Sequence, residues 1–338
     1  MNSNRAPSSN RVRRAERSAV VRAAALLREG GLVAFPTETV YGLGADAGNP
    51  AAVARIFDAK RRPPDHPVIV HVLDISAALR WSSDFPPSAR SLAEAFWPGP
   101  LTLIVPRAQD VHDIVTGGQS SVGLRAPSHP VARALLTEFG GGIAAPSANR
   151  FGHVSPTTAA HVAEDLGAAV DLILDGGACA IGIESTIVAF TSDPPMLLRP
   201  GGIPVDAIAA VLGTAPSAAD ATAPRASGTL ASHYATRTPA QLVAADALRA
   251  ELAQLEDRDE SVAVLARVAQ RPDDFDGVWT VAPHEPRDYA RLLYANLRAL
   301  DHAAADAILI EQVPDDAAWA AIRDRLARAT AGVDDDRD

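Results

Sequence analysis

The chain has 338 residues and a formal net charge of −10, which argues against a protein that binds nucleic acid mainly through a basic domain. A single cysteine, Cys179, excludes a disulfide framework and is typical of a reducing compartment, so we expect a cytoplasmic location. No apolar run is long enough to span a bilayer, so no membrane association is expected. The length suffices for two domains, each with its own core.

The first predicted strand, residues 32–35, ends in the polar run PTETVYG. Before it, residues 1–17 are rich in Arg, Ser and Asn and are predicted to be a disordered tail. Open α/β sheets place ligand-binding groups where a strand ends. The two threonines, the glutamate and the tyrosine of this run, among them Thr39, are therefore candidate site residues.

The only lysine of the chain, Lys60, follows the next predicted helix, residues 51–59. Two arginines come directly after it, and three prolines restrict the loop that carries His66. A compact ammonium beside planar guanidiniums suits contact with phosphate oxygens. We expect Lys60 and Arg62 to carry the chemistry, although residue type alone leaves open an ordinary surface lysine.

Several later strands are predicted to end in polar or charged groups. His71 lies in an apolar strand, and Arg125 ends the strand that begins at Ser121. A buried arginine requires a carboxylate or phosphate partner. The strand 143–145 runs into the turn 146–149, whose small polar residues suit an anion-binding turn of backbone N–H groups. Alone this turn is a weak signal, because the same residues suit any turn.

The domain organisation follows from a change in composition at residues 213–239, where small, polar, Pro-broken sequence predicts a linker. Segment 18–212 alternates strands and helices, which predicts a catalytic α/β domain with a twisted open mixed sheet. Segment 240–331 is predicted to be a smaller Rossmann-like α/β domain, and 332–338 an acidic tail. Because the linker carries Tyr234, we expect it to act as a lid that is open or disordered without ligands.

Six motifs occur in a characteristic order: PTETVYGLG, AKRRPPDHPVIVH, SVGLRAPSHP, APSAN, GIESTIV and LRPGGI. They resemble the motifs of the threonylcarbamoyl-AMP synthase family, and the second domain resembles the extra C-terminal domain of its longer members. The resemblance implies a YrdC-like fold for the first domain. It also implies a nucleotidyltransferase that makes threonylcarbamoyl-AMP and pyrophosphate from L-threonine, bicarbonate and ATP, for threonylcarbamoyladenosine modification of tRNA.

The resemblance also implies which residues bind the substrates. Threonine-binding positions match five residues, Thr39, His71, Arg125, the Ala145 backbone and Ser185. ATP positions match a larger set, with Lys60 and Asn149 close by: Arg62, His66, Ser121, Ser147, Ser155, Arg199 and Tyr234. Thr37 and Glu184 are candidates for supporting residues. Positive charge at Lys60, Arg62 and Arg199 would stabilise the reacting phosphates, with Mg²⁺ bridging phosphate oxygens.

Two motifs depart from the family pattern. His66 stands where the family usually has asparagine, which adds a group that could titrate near neutral pH. In the linker, Leu230 and Ser232 replace a lysine and an arginine of the family motif, so those two cations are not available here to bind phosphates. The family reading also implies downstream proteins that transfer the threonylcarbamoyl group to tRNA, with no stable nucleic-acid binding by this chain. We find no complete metal-ligand motif.

Two other functions stay open at this point. The same positive cavity could hold RNA in a binding or regulatory protein, although the overall acidity and the lack of a basic–aromatic stripe argue against it. The fold could also serve a carbamoyl-transfer enzyme that acts on another amine. Such a protein would be expected to carry zinc-binding cysteines and an acylphosphatase-like segment, and this chain has neither.

Overall fold

The structure is a computed structural model that describes residues 11–331. Within these residues the chain forms two compact units. The first contains the described residues up to Phe151 together with Pro156–Ala180 and Glu184–Thr229. The second contains Gly152–Ser155, Ile181–Ile183 and the described residues from Leu230 onward. Much of the predicted linker therefore belongs to the first unit.

The first unit is built on a mixed sheet whose strands appear in the order β1-β8-β2-β3-β7-β4-β6-β5-β9-β10-β11. In chain order these strands are β1 (Val12–Arg14), β2 (Val33–Phe35), β3 (Gly42–Asp46), β4 (Ile69–His71), β5 (Leu101–Pro106), β6 (Ser121–Arg125), β7 (Ile143–Ala144), β8 (Leu172–Asp175), β9 (Thr186–Ala189), β10 (Met196–Arg199) and β11 (Ser217–Ala218). The pairs β2–β8 and β4–β6 are parallel, whereas β2–β3 and β5–β6 are antiparallel. The predicted mixed sheet is confirmed.

The helices of the first unit connect these strands. In chain order they are α1 (Arg17–Arg28), α2 (Pro50–Lys60), α3 (Ile75–Ala78), α4 (Pro87–Phe96), α5 (Asp113–Thr116), α6 (Pro130–Phe139), α7 (Ala159–Leu166) and α8 (Val205–Leu212). Within residues 11–331, no helix combines the length and the apolarity needed to cross a membrane.

Apolar side chains pack on both faces of this sheet, as strand β2 shows. Val33 and Phe35 belong to a buried cluster with Leu27 of α1. Ala34, between them, belongs to another buried cluster with Ile56 of α2. Successive strand residues point to opposite faces, so this division requires apolar cover on both sides. The polar runs that could bind a ligand therefore lie at the ends of the strands and not on the faces of the sheet.

The start of the described chain corrects the predicted disordered tail. Val12–Arg14 form β1, which pairs in parallel with Ile173–Asp175 of β8, and α1 begins at Arg17. The backbone N–H of Ala15 extends the pairing by donating to the oxygen of Asp175 at 2.8 Å. A three-residue strand is too short to show a hydrophobic period, which explains why the sequence did not reveal it. The rest of the predicted tail, 1–10, lies outside the described residues.

Helix α2 places Lys60 through well-defined helix ends. The side chain of Asn49 accepts from the N–H groups of Ala51 and Ala52, and Pro50 occupies the first turn. At the other end Arg61 has φ of 53°, so the chain leaves the helix directly after Lys60. The lysine side chain is thus presented from the last turn of a rigid element.

The second unit is a smaller α/β fold, as predicted. Its strands are β12 (Ala240–Val243), β13 (Val262–Ala266), β14 (Val278–Val281) and β15 (Ala307–Glu311), all parallel in the order β12-β15-β13-β14. Its helices are α9 (Leu248–Glu256), α10 (Pro286–Asp301) and α11 (Ala320–Ala329). The predicted acidic tail, 332–338, lies outside the described residues.

The carboxylate of Glu311 ties two strands of the second unit together where they end. It is 1% exposed and accepts backbone hydrogen bonds from Arg267 at 2.6 Å, Val268 at 2.9 Å and Ala269 at 2.9 Å. Successive N–H groups of this kind form a concave anion-binding turn. The protein's own carboxylate fills this turn, so Glu311 stabilises the loop after β13.

We predict that Glu311→Ala will lower the free energy of unfolding by about 2–3 kcal/mol, because buried N–H groups lose a charged acceptor. Urea denaturation followed by circular dichroism measures this loss. Glu256→Ala, at an exposed glutamate on α9, is the matched control and should change the stability by less than about 0.5 kcal/mol. Equal stabilities of the Glu311→Ala and control variants would show that the carboxylate has no stabilising role.

Candidate active site

The turn 146–149 is held by the ammonium of Lys60. Its Nζ donates to the carbonyl oxygen of Ser147 at 2.7 Å and to that of Asn149 at 2.5 Å, and it lies 3.4 Å from Asn149 Oδ1. Lys60 is 1% exposed. Burial, and next the positive charge of Arg62, lower the pKa of Lys60 well below its usual 10.5. Because the three acceptors are uncharged, a bound anion nearby would raise this pKa again.

The guanidinium of Arg62 is buried at the start of the proline-rich loop. Its Nη2 donates to the oxygen of Pro67 at 2.8 Å and to Ser227 Oγ at 3.3 Å. The guanidinium carbon lies over the Phe151 ring, 5.3 Å from its centroid. The half-buried His66 contacts the same ring, with centroids 5.2 Å apart. Burial and then Arg62 lower the pKa of His66 below 6.5, so its imidazole is neutral at about pH 7.

Arg199, a predicted ATP-binding residue, forms hydrogen bonds with Ser185, a predicted threonine-binding residue. Its Nη1 donates to the carbonyl oxygen of Ser227 at 2.6 Å, and its Nη2 donates to the carbonyl oxygen of Ser185 at 2.9 Å and to Ser185 Oγ at 3.2 Å. Ser185 Oγ is also 2.8 Å from Thr102 Oγ1. Arg62 and Arg199 therefore both reach Ser227, which brings two predicted phosphate-binding cations to one acceptor residue.

Residues 213–229 belong to the first unit and pack against the rest of it, which corrects the prediction of a flexible linker there. Strand β11 pairs with β10. Further along, Arg225 N–H donates to Gln119 Oε1 at 2.7 Å, and Gln119 Nε2 donates back to the Arg225 oxygen at 3.1 Å. Composition predicts flexibility but cannot show that distant side chains will supply the hydrogen bonds. A cavity lies between this segment and the sheet, lined among others by Ile69, Ile104, Ser121, Ile187, Arg225 and Ala226.

Arg125 forms a buried ion pair with Glu38 of the PTETVYG run. Arg125 Nη2 donates to Glu38 Oε1 at 2.7 Å, and the other carboxylate oxygen accepts from the N–H of Ser128 at 3.0 Å. Arg125 Nε donates to the Gly99 oxygen at 3.3 Å. Burial raises the pKa of Glu38, but the charge and hydrogen bonds of Arg125 and the N–H of Ser128 lower it below 4.5 overall. Within residues 11–331, Nη1 of Arg125 has no hydrogen-bond partner.

His71 is paired with Arg125 across strands β4 and β6. It is 3% exposed and contacts the Phe35 ring edge-on, with centroids 5.9 Å apart. Burial, followed by the charge of Arg125, lowers the pKa of His71 well below 6.5, so the ring is neutral. Its Nδ1 is buried without a hydrogen-bond partner in the described part of the chain. Such an atom is usually satisfied by water or by a ligand.

Two further threonine-binding candidates are Ala145, which offers its backbone, and Thr39, which offers its side-chain hydroxyl. The N–H of Ala145 donates to the oxygen of Ile69 at 2.9 Å, so a substrate contact through its backbone would use the carbonyl. Thr39 is fully buried, and its Oγ1 lies 2.8 Å from Thr37 Oγ1. The structure thus places the five threonine-binding candidates at or close to the ends of buried strands.

Comparison with known proteins identifies the family. A family model described as telomere recombination matches residues 25–201, and one described as threonylcarbamoyl-AMP synthase, C-terminal domain, matches residues 203–331. Curated threonylcarbamoyl-AMP synthases of Bacillus subtilis and Pyrococcus abyssi are 41% and 39% identical, over 93% and 91% of this chain and 93% of each relative. The chain belongs to the threonylcarbamoyl-AMP synthase family.

A solved structure supports the same assignment. Sua5 of Pyrococcus abyssi, crystallised in complex with L-threonine, superposes with a TM-score of 0.86 at 37% identity and covers 94% of this chain and 96% of its own. Escherichia coli YciO superposes with a TM-score of 0.50 at 25% identity, over 57% of this chain and 94% of its own. The YrdC-like fold expected of a threonylcarbamoyl-AMP synthase family member is therefore confirmed.

The remaining candidates of this family member, Ser155 and Tyr234, belong to the second unit, where both are buried. The Tyr234 ring stacks on Tyr294 with centroids 5.6 Å apart, and the guanidinium of Arg325 lies 5.3 Å from its centroid. Its φ of 64° is uncommon for a side-chain-bearing residue. The second unit thus fixes the Tyr234 ring, and the predicted ATP contact stays a prediction.

Sequence reasoning missed Thr102 and Gln119. Thr102 is the hydroxyl-bearing residue of an otherwise apolar strand, and it is fully buried against Ser185. That isolated polar position was an available signal. Gln119 gave none, because its partner Arg225 is 106 positions away.

We predict that Glu38→Gln will lower the free energy of unfolding by about 3 kcal/mol at neutral pH, because it leaves Arg125 buried without its charged partner. The native pKa of Glu38 is depressed, so below pH 4.5 the unfolded chain takes up the proton first and wild-type stability falls with falling pH. The difference between wild type and Glu38→Gln should therefore shrink on acidification.

Urea unfolding measured across this pH range tests the ion pair. Glu29→Gln, at an exposed glutamate, should follow the wild-type curve. A Glu38→Gln variant whose deficit stays constant from neutral to acid pH would show that the pair does not set this stability.

Proposed function

We propose that this chain is a threonylcarbamoyl-AMP synthase that uses L-threonine, bicarbonate and ATP and releases pyrophosphate, in support of threonylcarbamoyladenosine modification of tRNA. The curated relatives along nearly the whole chain support this activity. The structural observation that carries it is that the first unit contains two kinds of buried cationic group. One is a buried arginine with a spare donor, Arg125, and the other is a set of buried cations, Lys60, Arg62 and Arg199.

Arg125 is the group that we assign to the threonine carboxylate. Glu38 holds one side of its guanidinium, and Nη1 stays available to donate to a carboxylate oxygen. Because Glu38 balances the charge of Arg125, recognition of the substrate carboxylate would rest on the directed hydrogen bond from Nη1. His71 Nδ1, Thr39 Oγ1, the Ala145 carbonyl and Ser185 Oγ are further groups that we assign to threonine.

We assign phosphate binding to Lys60, Arg62 and Arg199. In the reaction the threonine amine first becomes a carbamate, and a carbamate oxygen then attacks the α-phosphorus of ATP as pyrophosphate leaves. Such a transfer depends mainly on positioning and on stabilising spread-out negative charge. Arg62 donates to Ser227 Oγ and Arg199 donates to the carbonyl oxygen of Ser227, so the two guanidiniums reach acceptor atoms of one residue. Two cations that meet in this way suit the neighbouring oxygens of a polyphosphate.

Four further residues of the first unit are assigned to ATP in this proposal. Ser121 lines the partly apolar cavity, and His66 presents a neutral imidazole beside Arg62. Ser147 and Asn149 lie on the turn that Lys60 holds. We assign these four residues, together with Ser155 and Tyr234 of the second unit, to the nucleotide.

We propose that Mg²⁺ accompanies ATP as a phosphate-bound ion. Among residues 11–331, no group of three His, Cys, Asp or Glu side chains is placed to hold a metal by itself. Phosphate oxygens and water commonly supply most ligands of Mg²⁺ in such sites. We further expect the product to pass to proteins that transfer the threonylcarbamoyl group to tRNA, in the cytoplasm.

We predict that pyrophosphate release from ATP will require both L-threonine and bicarbonate. L-serine should be a poorer substrate by about 10-fold to 200-fold in kcat/KM, because losing one methyl contact is worth about 1–3 kcal/mol. A coupled pyrophosphate assay over a panel of amino acids measures this.

Arg125→Gln should raise the KM for threonine while leaving the KM for ATP within about threefold. Pyrophosphate release that ignores threonine, or tight RNA binding without turnover, would contradict the proposal.

A further inference from the structure

The side-chain hydroxyls of Thr37 and Thr39 form a buried hydrogen bond. Because a hydroxyl group carries only one proton, the other contacts of the two side chains decide which of them donates. The two side-chain oxygens are 2.8 Å apart. Thr37 Oγ1 is also 2.6 Å from the carbonyl oxygen of Val40. A carbonyl oxygen cannot donate, so Thr37 uses its single proton in that contact. Thr39 must then be the donor in the contact between the two hydroxyls.

The surrounding backbone supports the same direction. The N–H groups of Thr39 and Val40 point at Thr37 Oγ1, at 3.2 Å and 3.3 Å, so this oxygen is surrounded by donors. Thr39 Oγ1 has its proton engaged, and in the described part of the chain no donor contacts its lone pairs. Toward a ligand, Thr39 can therefore act only as a hydrogen-bond acceptor.

We propose that Thr37 is a positioning residue that determines substrate specificity, because it makes Thr39 an acceptor for the side-chain hydroxyl of L-threonine. This inference rests on the proposed function. The substrate carboxylate has no proton to donate, and the amine must turn its lone pair toward the incoming carbon. We therefore assign the side-chain hydroxyl of the substrate as the donor to Thr39. A site built to accept a hydrogen bond rejects analogues that lack the donor.

The test compares Thr37→Val with Thr37→Ser in the full chain. Valine keeps the shape of threonine without the hydroxyl, and serine keeps the hydroxyl. Two constants are measured by pyrophosphate release: the KM for L-threonine, and the inhibition constant of L-2-aminobutyrate, which is threonine without its hydroxyl. In Thr37→Val we expect the KM for threonine to rise about tenfold and the inhibition constant to change less than about twofold. Thr37→Ser should restore the threonine KM.

Two further variants separate positioning from general damage. Thr116→Val removes another buried threonine hydroxyl that contacts a backbone carbonyl, at 3.4 Å from Asp113 O, and should leave both constants unchanged. In a Thr39→Val background, Thr37→Val should add less than about twofold, because no acceptor remains to be oriented. If Thr37→Val does not fold, Thr37→Ala removes the same hydroxyl and is used in its place.

Equal losses for threonine and aminobutyrate, or an unchanged threonine KM in Thr37→Val, would overturn the inference. A wild-type chain that shows no threonine-dependent pyrophosphate release would instead refute the proposed function, so the two failures are distinguishable.

Discussion

The candidate site depends on one ammonium that is kept out of water. Lys60 is buried at the end of α2, and its Nζ bonds the carbonyl oxygens of Ser147 and Asn149. Taking a charged amine out of water is costly, and uncharged oxygens offset only part of that cost. The lysine thus ties a helix end to the turn 146–149, which carries the predicted ATP-binding residues Ser147 and Asn149 and directly follows Ala145, a predicted threonine-binding residue. The turn is also fixed from β3, where Leu43 N–H donates to Pro146 O at 2.8 Å.

The same unit gathers further buried cations although the chain is acidic overall. Arg62, Arg125 and Arg199 are each less than one tenth exposed. Hydrogen bonds from Arg62 and Arg199 go to carbonyl and hydroxyl oxygens, among them those of Ser227. Arg125 differs, because Glu38 balances its charge. This contrast fits a division of labour in which Arg125 recognises a single carboxylate and the other cations recognise a polyphosphate.

Much of this arrangement could be predicted from the sequence. Alternating strands and helices indicate an α/β fold, and polar runs such as PTETVYG stand out after apolar strands. Asn49 and Pro50 indicate where α2 begins, and the prolines after Arg62 indicate that it cannot continue far beyond Lys60. These features are local, because propensities, caps and strand ends involve residues that are close together in the chain.

The features that escaped prediction depend on contacts between distant residues. Strand β1 is too short to show a period, and it exists because β8 offers a free edge. Residues 213–229 look flexible by composition, yet Gln119 binds Arg225, and Arg62 and Arg199 bind Ser227. A sequence read alone shows which groups are polar, but it does not show which of them will meet.

Calorimetric titration of L-threonine into Lys60→Met, with no ATP present, tests the role of Lys60 most directly. Methionine has a similar length but no donors, so it releases the turn 146–149 without adding bulk. If the ammonium acts by holding that turn, threonine affinity should fall at least about tenfold together with ATP affinity. Unchanged threonine binding in a variant that has lost turnover would contradict this account, and would make Lys60 a contact for phosphate alone.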